Sequence, residues 1–223
     1  MWFLTSGISF SEILMRIVSV LIIVFFVLPV HEWAHGFVAY KLGDPTAKNS
    51  GRLTLDPIAS IDPIGALGIL LFGFGWAKPV PVDPRYFKNP KRDMALTALA
   101  GPVVNIIAAV IGAFILNILV FIQGNLPRDL VMWLGIFLQY YVSINVGLAV
   151  FNMLPIPPLD GSRVAAAFMS DDVMMKYYKY QNVIVMIVFV LIFTRILTVP
   201  LGMAQNAIYS FIMNLTSLPF KLF

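Results

Sequence analysis

The two histidines of the 223-residue chain lie four residues apart, in His31-Glu32-Trp33-Ala34-His35. Residues with this spacing share one face of an α-helix, so both imidazoles can reach the same point. Neutral imidazole is a preferred zinc ligand, and Glu32, displaced by about 100° around the helix, can reach a water molecule beside the metal. The motif therefore predicts a zinc hydrolase centre. The alternative is a pair of packed histidines beside a carboxylate, which is costly in apolar surroundings.

A catalytic zinc site usually has three protein ligands, and the sequence contains no third histidine and no cysteine. Asp160 is the best carboxylate candidate, because it follows a long apolar segment and a proline-rich stretch that leaves it on irregular backbone. Irregular backbone at membrane depth is tolerated where it lines a cavity. In the opposing interpretation Asp160 caps the following helix from an Asp-Gly turn, and residue chemistry alone leaves both open.

The composition indicates where these residues lie. The chain is 60% hydrophobic and 12% charged with a mean hydropathy of +0.88, whereas a soluble domain has about 25% charged residues. We therefore expect an α-helical integral membrane protein that forms a single domain over residues 1–223, surrounded by the lipid bilayer. The net charge of +4 is read as a topology signal and not as a nucleic-acid surface. The N-terminus lacks a basic region and a small-residue cleavage site, so we expect no removable signal peptide.

Long apolar segments predict a bundle of several spanning helices, which position the candidate site. Pro29 should kink the first helix, or break it locally, just before the histidine motif. Between the first two helices, residues 50–57 predict short membrane-associated strands, and the glycine-rich stretch 64–77 predicts a re-entrant or interfacial segment. The helices are expected at about 13–42, 95–122 and 130–154, with additional C-terminal membrane segments at about 182–215.

Two further motifs follow the histidines in order along the chain. Gly101-Pro102-Val103-Val104-Asn105 has the form G-x-x-x-N, and residues 152–161 have the form N-x-x-P-x-x-x-L-D-G. Together with H-E-x-x-H, these motifs resemble the site-2 protease family of intramembrane zinc metalloproteases. Residues 75–82 resemble the short bacterial and archaeal class of that family, without the PDZ or CBS domains of longer relatives. The resemblance covers roughly residues 13–165.

The resemblance implies a site and a reaction. It makes His31, His35 and Asp160 the ligands of one Zn²⁺ per chain, and Glu32 the general base. It also implies an endopeptidase that cleaves membrane-spanning protein substrates within or near the bilayer, as in regulated intramembrane proteolysis. Asn152 and Asn105 would bind the substrate backbone or the developing oxyanion, with interhelical hydrogen bonding as the alternative.

Substrate pairing is a further expectation from the sequence. The edge-like segments around residues 51–56 and 78–83 could add the unwound substrate as an extra strand, or they could form a purely structural hairpin.

Two other functions compete with the peptidase. A catalytically silent zinc-binding membrane protein would not need Glu32, which is intact. A metal transporter would also carry histidines and aspartates in its spans, but no second series of acidic residues is visible along them. The peptidase is therefore the leading hypothesis, and the other two are kept as alternatives.

The distribution of basic residues predicts the orientation in a prokaryotic cell membrane. The loop at residues 123–129 contains only Arg128, whereas three basic residues follow the third helix and eight lie between the first two. Because cytoplasmic loops are enriched in lysine and arginine, the zinc site should lie near the cytoplasmic side and the N-terminus outside. The eight residues are Lys41, Lys48, Arg52, Lys78, Arg85, Lys88, Lys91 and Arg92, and the three are Arg163, Lys176 and Lys179.

Overall fold

A computed structural model describes residues 9–72, 77–194 and 196–221 of the chain. These residues are almost entirely helical. The helices are α1 (Phe10–Ile22), α2 (Leu28–Lys41), α3 (Thr46–Asn49), α4 (Pro57–Ser60), α5 (Pro63–Phe72), α6 (Pro90–Ile122), α7 (Arg128–Asn152), α8 (Asp160–Ala166), α9 (Asp171–Lys179), α10 (Gln181–Phe193) and α11 (Thr198–Ser217).

Within the described residues, three helices are long and apolar enough to cross a membrane, which confirms the prediction of a helical membrane protein. They cover Phe10–Lys41, Pro90–Asn125 and Arg128–Asn152, with 32, 36 and 25 residues. A fourth span results if α9 and α10, which meet at a bend of 61°, are counted as one broken helix.

The first span is continuous from α1 to α2 through a π-helical turn, Ile23–Val27. This turn ends two residues before Pro29, which has no N–H to donate to the carbonyl one turn earlier. The local disturbance expected from Pro29 thus coincides with a π-turn immediately ahead of the histidine motif. The helix ends at Lys41, and Gly43 follows with φ = +111°, a conformation that residues with a Cβ rarely adopt.

Helix α6 is the centre of the bundle and packs against α2, α7, α8 and α11. Small residues on α6 allow this close packing, since Ala109 and Ala113 are fully buried against Val142 and Val146 of α7. A Cβ on Gly112 would lie 2.6 Å from the ring of Tyr141. The small residues bring α7 close enough to α6 for their polar side chains to meet.

The prediction of short strands is wrong for the described part of the chain, where residues 50–56 form turns, bends and irregular backbone and Pro57 begins α4. Gly51 has φ = +68°, and the carboxylate of Asp56 accepts from the N–H of Ile58 and begins α4. Residues 78–83 have no regular structure, because Pro79 and Pro81 lack the N–H groups that a strand ladder needs.

Neither residues 51–56 nor residues 78–83 form a strand edge, so the expectation that a substrate pairs with such an edge has no structural support. Of the expected re-entrant stretch 64–77, residues up to Phe72 belong to α5, and residues 73–76 lie outside the described residues.

Candidate metal centre

Helices α2 and α6 run antiparallel and hold the two histidines between them. The His35 ring places Nδ1 2.7 Å from the carbonyl oxygen of Thr97, and the His31 ring places Nδ1 2.6 Å from Oδ1 of Asn105. The contacting residues are four apart on α2 and eight apart on α6, so each set lies on one helix face. Both rings are thus fixed at their Nδ1 edge, and both Nε2 atoms point to a common site.

Gly101 lies midway between these two contacts on α6. A Cβ at this position would overlap Nε2 of both His31 and His35. The absence of a side chain is therefore what allows the two rings to converge beside the α6 backbone.

Asp160 completes the group from the first turn of α8. Its Oδ2 lies 3.4 Å from Nε2 of His31 and 3.3 Å from Nε2 of His35, and the two Nε2 atoms are 3.1 Å apart. A tetrahedral ion with bonds of about 2.0–2.2 Å holds its ligand atoms about 3.3–3.6 Å apart. The three atoms therefore fit three corners of a zinc tetrahedron, which leaves the fourth corner for a water or a substrate atom.

The chain approaches Asp160 through a tight junction. The N-cap of α8 is Leu159, whose side chain makes no capping bond, so Asp160 is not the cap residue that the alternative interpretation assumed. A Cβ on Gly161 would overlap the carbonyl of Met153, which shows how closely α8 begins against the end of α7. This close approach returns Asp160 to the two histidines.

The charge state of Asp160 suits a metal ligand. Burial raises the pKa of this carboxyl, but its contacts with the His31 and His35 rings lower it more, so the pKa lies well below the usual range. The group is therefore a carboxylate at neutral pH, which is the form that coordinates zinc.

Glu32 lies beside the three ligand residues, and only 9% of its surface is exposed. Its Oε2 accepts a hydrogen bond of 3.2 Å from the N–H of Val80. Because Pro79 and Pro81 flank Val80, this N–H is the only backbone donor between residues 79 and 81. This contact was not predicted, although the alternation of prolines in the sequence was a visible signal for a single backbone donor.

The segment that carries Val80 is tied down at three other points. The Lys78 N–H donates to the Ser60 carbonyl, and the Lys78 carbonyl accepts from the Arg52 guanidinium at 2.7 Å. The Asp83 N–H donates to the buried carboxylate of Asp44, which follows the end of α2. Residues 77–83 thus form a fixed wall beside Glu32 within the described structure.

A cavity of about 290 Å³ adjoins the metal centre. Glu32, both histidines and Asp160 line it, together with Ala77, Pro79, Val80, Asn152 and Arg163. Asn152 thus lines the same cavity as the candidate metal ligands. Arg163 is a further lining residue, which the sequence analysis used only as an orientation signal.

Asn105 has a different place from Asn152. It is fully buried and contacts the Nδ1 edge of His31, whereas the ligand atom Nε2 lies at the other edge of the ring. This geometry gives Asn105 a position behind a metal ligand, and its substrate-binding role stays a prediction. Thr97 was missed by the sequence analysis, because it acts through a carbonyl that any residue has.

Comparisons with known proteins show which families and proteins the sequence resembles. Residues 128–195, which include Asp160, match the family described as peptidase family M50. YwhC of Bacillus subtilis, named as a candidate zinc metalloprotease, is 47% identical over 134 residues, which are 60% of this chain and 61% of YwhC.

The chain is therefore similar to peptidase family M50 over residues 128–195. A second relative, Rip2 of Mycobacterium tuberculosis, is 32% identical over 139 residues, covering 60% of this chain and 51% of Rip2. A third, from Methanocaldococcus jannaschii, is 36% identical over 135 residues, covering 60% of this chain and 62% of that protein. Both are likewise named as candidate zinc metalloproteases. The matches span about half to three fifths of the length of these relatives. No solved structure matches the chain.

This similarity to family M50, the site-2 proteases, confirms the resemblance recognised from the motifs. The names of the relatives imply zinc, and His31, His35 and Asp160 offer a donor set of suitable chemistry and spacing.

Proposed function

We propose that this chain is a zinc-dependent endopeptidase that hydrolyses peptide bonds of membrane-spanning proteins within or near the bilayer. The observation that carries the proposal is the triangle of two Nε2 atoms and one carboxylate oxygen, 3.1–3.4 Å apart, with Glu32 beside it in the same cavity. A structural zinc site would have a fourth protein ligand in place of an open corner and a neighbouring carboxylate.

Each residue of the site has a different role in the proposed hydrolysis. When bound, a zinc ion supplies Lewis-acid polarisation of a carbonyl and activation of a water molecule. Glu32 accepts a proton from the attacking water and delivers it to the leaving amine nitrogen. The Val80 N–H holds one carboxylate oxygen of Glu32, so the other oxygen is available for this transfer. Asn152 lies in the cavity wall, where its amide can hydrogen-bond the substrate backbone or the developing oxyanion.

A membrane-spanning substrate is proposed because the first two motifs lie inside apolar spans. A helical peptide bond is enclosed by its own hydrogen bonds, so the substrate helix must unwind locally before it enters the cavity. Such cleavage would serve regulated intramembrane proteolysis. A silent zinc protein and a metal transporter remain the alternatives, and the position of Glu32 in the cavity favours the peptidase.

The first prediction concerns zinc dependence. The purified full chain, reconstituted in lipid vesicles with a panel of single-span reporter proteins, should cleave at least one of them. Removal of zinc with a chelator should abolish cleavage, and added zinc should restore it. Asp160→Ala deletes one of three ligands, so this variant should contain much less than one zinc per chain and should cleave little.

Asp129→Ala is the matched control, because Asp129 is an exposed carboxylate in the first turn of α7, far from the histidines in the chain. It should retain zinc and activity. Full zinc content and wild-type cleavage in Asp160→Ala would show that the third ligand lies elsewhere. Vectorial zinc uptake by the vesicles without cleavage would favour a transporter.

The second prediction concerns orientation, for which we propose a cytoplasmic zinc side and an external N-terminus. Lys88 and Asn125 are both exposed, and the chain has no native cysteine. In intact cells, a membrane-impermeant maleimide should label Asn125→Cys and leave Lys88→Cys unlabelled. Permeabilised cells, in which both variants should react, provide the control. The reverse pattern in intact cells would contradict this topology.

A further inference from the structure

Behind His31, a chain of buried amides continues from α6 into α7. Asn105 Nδ2 donates to Oδ1 of Asn145 at 3.1 Å, and Asn145 Nδ2 donates to the carbonyl oxygen of Tyr141 at 2.9 Å. Both asparagines are completely buried. Together with the contact between His31 and Asn105, three hydrogen bonds connect the Tyr141 backbone on α7 to a candidate metal ligand on α2.

The Tyr141 carbonyl sets the direction of all three hydrogen bonds between it and His31. A backbone carbonyl can only accept, so Asn145 must turn its NH₂ group to Tyr141 and its oxygen to Asn105. Asn105 must then turn its NH₂ group to Asn145 and its oxygen to His31. Because that oxygen also only accepts, Nδ1 of His31 must carry the proton.

Protonation at Nδ1 determines the state of Nε2, at the opposite edge of the His31 ring. A neutral imidazole protonated at Nδ1 has its lone pair on Nε2, which is the atom that faces His35 and Asp160. For His35, the carbonyl of Thr97 imposes the same arrangement directly. His31 has only side chains beside it, and an isolated asparagine amide could turn either its donor or its acceptor to the ring.

We propose that Asn145 is a positioning residue, which sets the tautomer of His31 through Asn105 and so directs the His31 lone pair into the metal centre. The inference rests on the proposed zinc peptidase function. It assigns a role in metal binding to a residue that is neither a candidate metal ligand nor a lining residue of the cavity.

The competing explanation is an ordinary interhelical hydrogen bond that only stabilises the bundle. The chain offers a matched control for it, since Asn117 on α6 donates to the Thr216 hydroxyl of α11 at 2.9 Å. Asn117 is twelve residues, or about 18 Å of helix, from Asn105. Asn117→Leu therefore removes a similar contact between spans without disturbing the metal centre.

The third prediction is tested by zinc affinity, measured for the purified full-length chain by competition with a chelating dye. Asn145→Leu should bind Zn²⁺ about tenfold more weakly, at the lower end of the roughly 10- to 100-fold range for partners of metal-binding histidines. Asn145→Asp should stay near wild type, because its buried carboxyl in the neutral form can donate to the Tyr141 carbonyl and still presents an acceptor oxygen to Asn105. Asn117→Leu should keep the wild-type affinity.

Coupling to Asn105 gives a further criterion. Asn105→Leu should weaken zinc binding at least as much as Asn145→Leu, and the double variant should lose no more than Asn105→Leu alone. Simple addition of the two losses would mean that Asn145 does not act through Asn105, and the proposal would be wrong.

The tautomer itself can be observed in zinc-free protein, because ¹⁵N-labelled histidine gives signals from only two rings. Long-range ¹H–¹⁵N spectra, at a pH at which both rings are neutral, should show His31 protonated at Nδ1 in the wild type. Folded Asn145→Leu should gain the Nε2-protonated form. A wild-type His31 protonated at Nε2 would overturn the proposal even if Asn145→Leu does not fold.

Unchanged affinity and tautomer in folded Asn145→Leu would also overturn the proposal and leave only the interhelical role. The outcome for the proposed function is separate. A wild-type chain that binds no zinc would refute the peptidase, whereas the tautomer measurement in zinc-free protein would still decide the role of Asn145.

Discussion

Glu32→Gln should retain a full equivalent of zinc and lose cleavage of single-span reporters by about 10²- to 10⁴-fold, the usual contribution of a general base. The amide has nearly the same shape and can still accept the Val80 N–H, so the cavity wall should stay in place. It cannot take a proton from water at neutral pH. The change therefore separates the proton transfer from metal binding.

Glu12→Gln is the matched control, because Glu12 is the other of the two glutamates in the sequence. Its carboxylate accepts the Ser9 N–H in the capping box that begins α1, and glutamine can do the same. This variant should cleave like wild type. Comparing membrane fragments from cells with wild-type chain and with Glu32→Gln would also identify natural substrates. Wild-type turnover in folded Glu32→Gln would exclude Glu32 as the base.

The part of the site that lies on one helix could be predicted from the sequence. His31 and His35 share a face because α-helical geometry fixes the positions of residues four apart, and Glu32 follows from the same helix. Asp160 is different. It is more than a hundred residues away, and residue chemistry left its role undecided until the ordered motifs resembled a known family.

The contacts that cross between helices could not be predicted in the same way. Thr97 contributes a backbone carbonyl, so its side chain gives no signal. The buried Asn145 is visible in the sequence, but its contact with Asn105 depends on how α6 and α7 pack. The need for Gly101 likewise becomes clear only when the two rings of α2 are placed against α6.

The strand prediction failed for a local reason. Partial alternation of apolar and polar residues in 50–57 is compatible with successive turns, and Gly51 with its positive φ and Pro57 at the start of α4 select the turns. The spanning helices could be predicted more reliably than the strands, because three apolar segments of more than twenty residues have few alternatives to a helix in a bilayer.

Gly101→Ala should abolish zinc binding, although alanine is normally the better helix former by about 0.5–1 kcal/mol. The new methyl group would overlap Nε2 of both His31 and His35. The added Cβ would be attached to the backbone of α6, and the rings are held at Nδ1 by Thr97 and Asn105, so neither the helix nor the rings can move at little cost. The rings must turn away, and the triangle of ligand atoms is lost.

Gly135→Ala on α7 is the control, since a Cβ there meets nothing within 4 Å. It should keep one zinc per chain and full cleavage. The readouts are zinc content and the shift in melting temperature on adding zinc, which should be present in wild type and Gly135→Ala and absent in Gly101→Ala. A stoichiometric zinc content in Gly101→Ala would mean that the rings bind from another direction, and the proposed arrangement of His31 and His35 against α6 would be wrong.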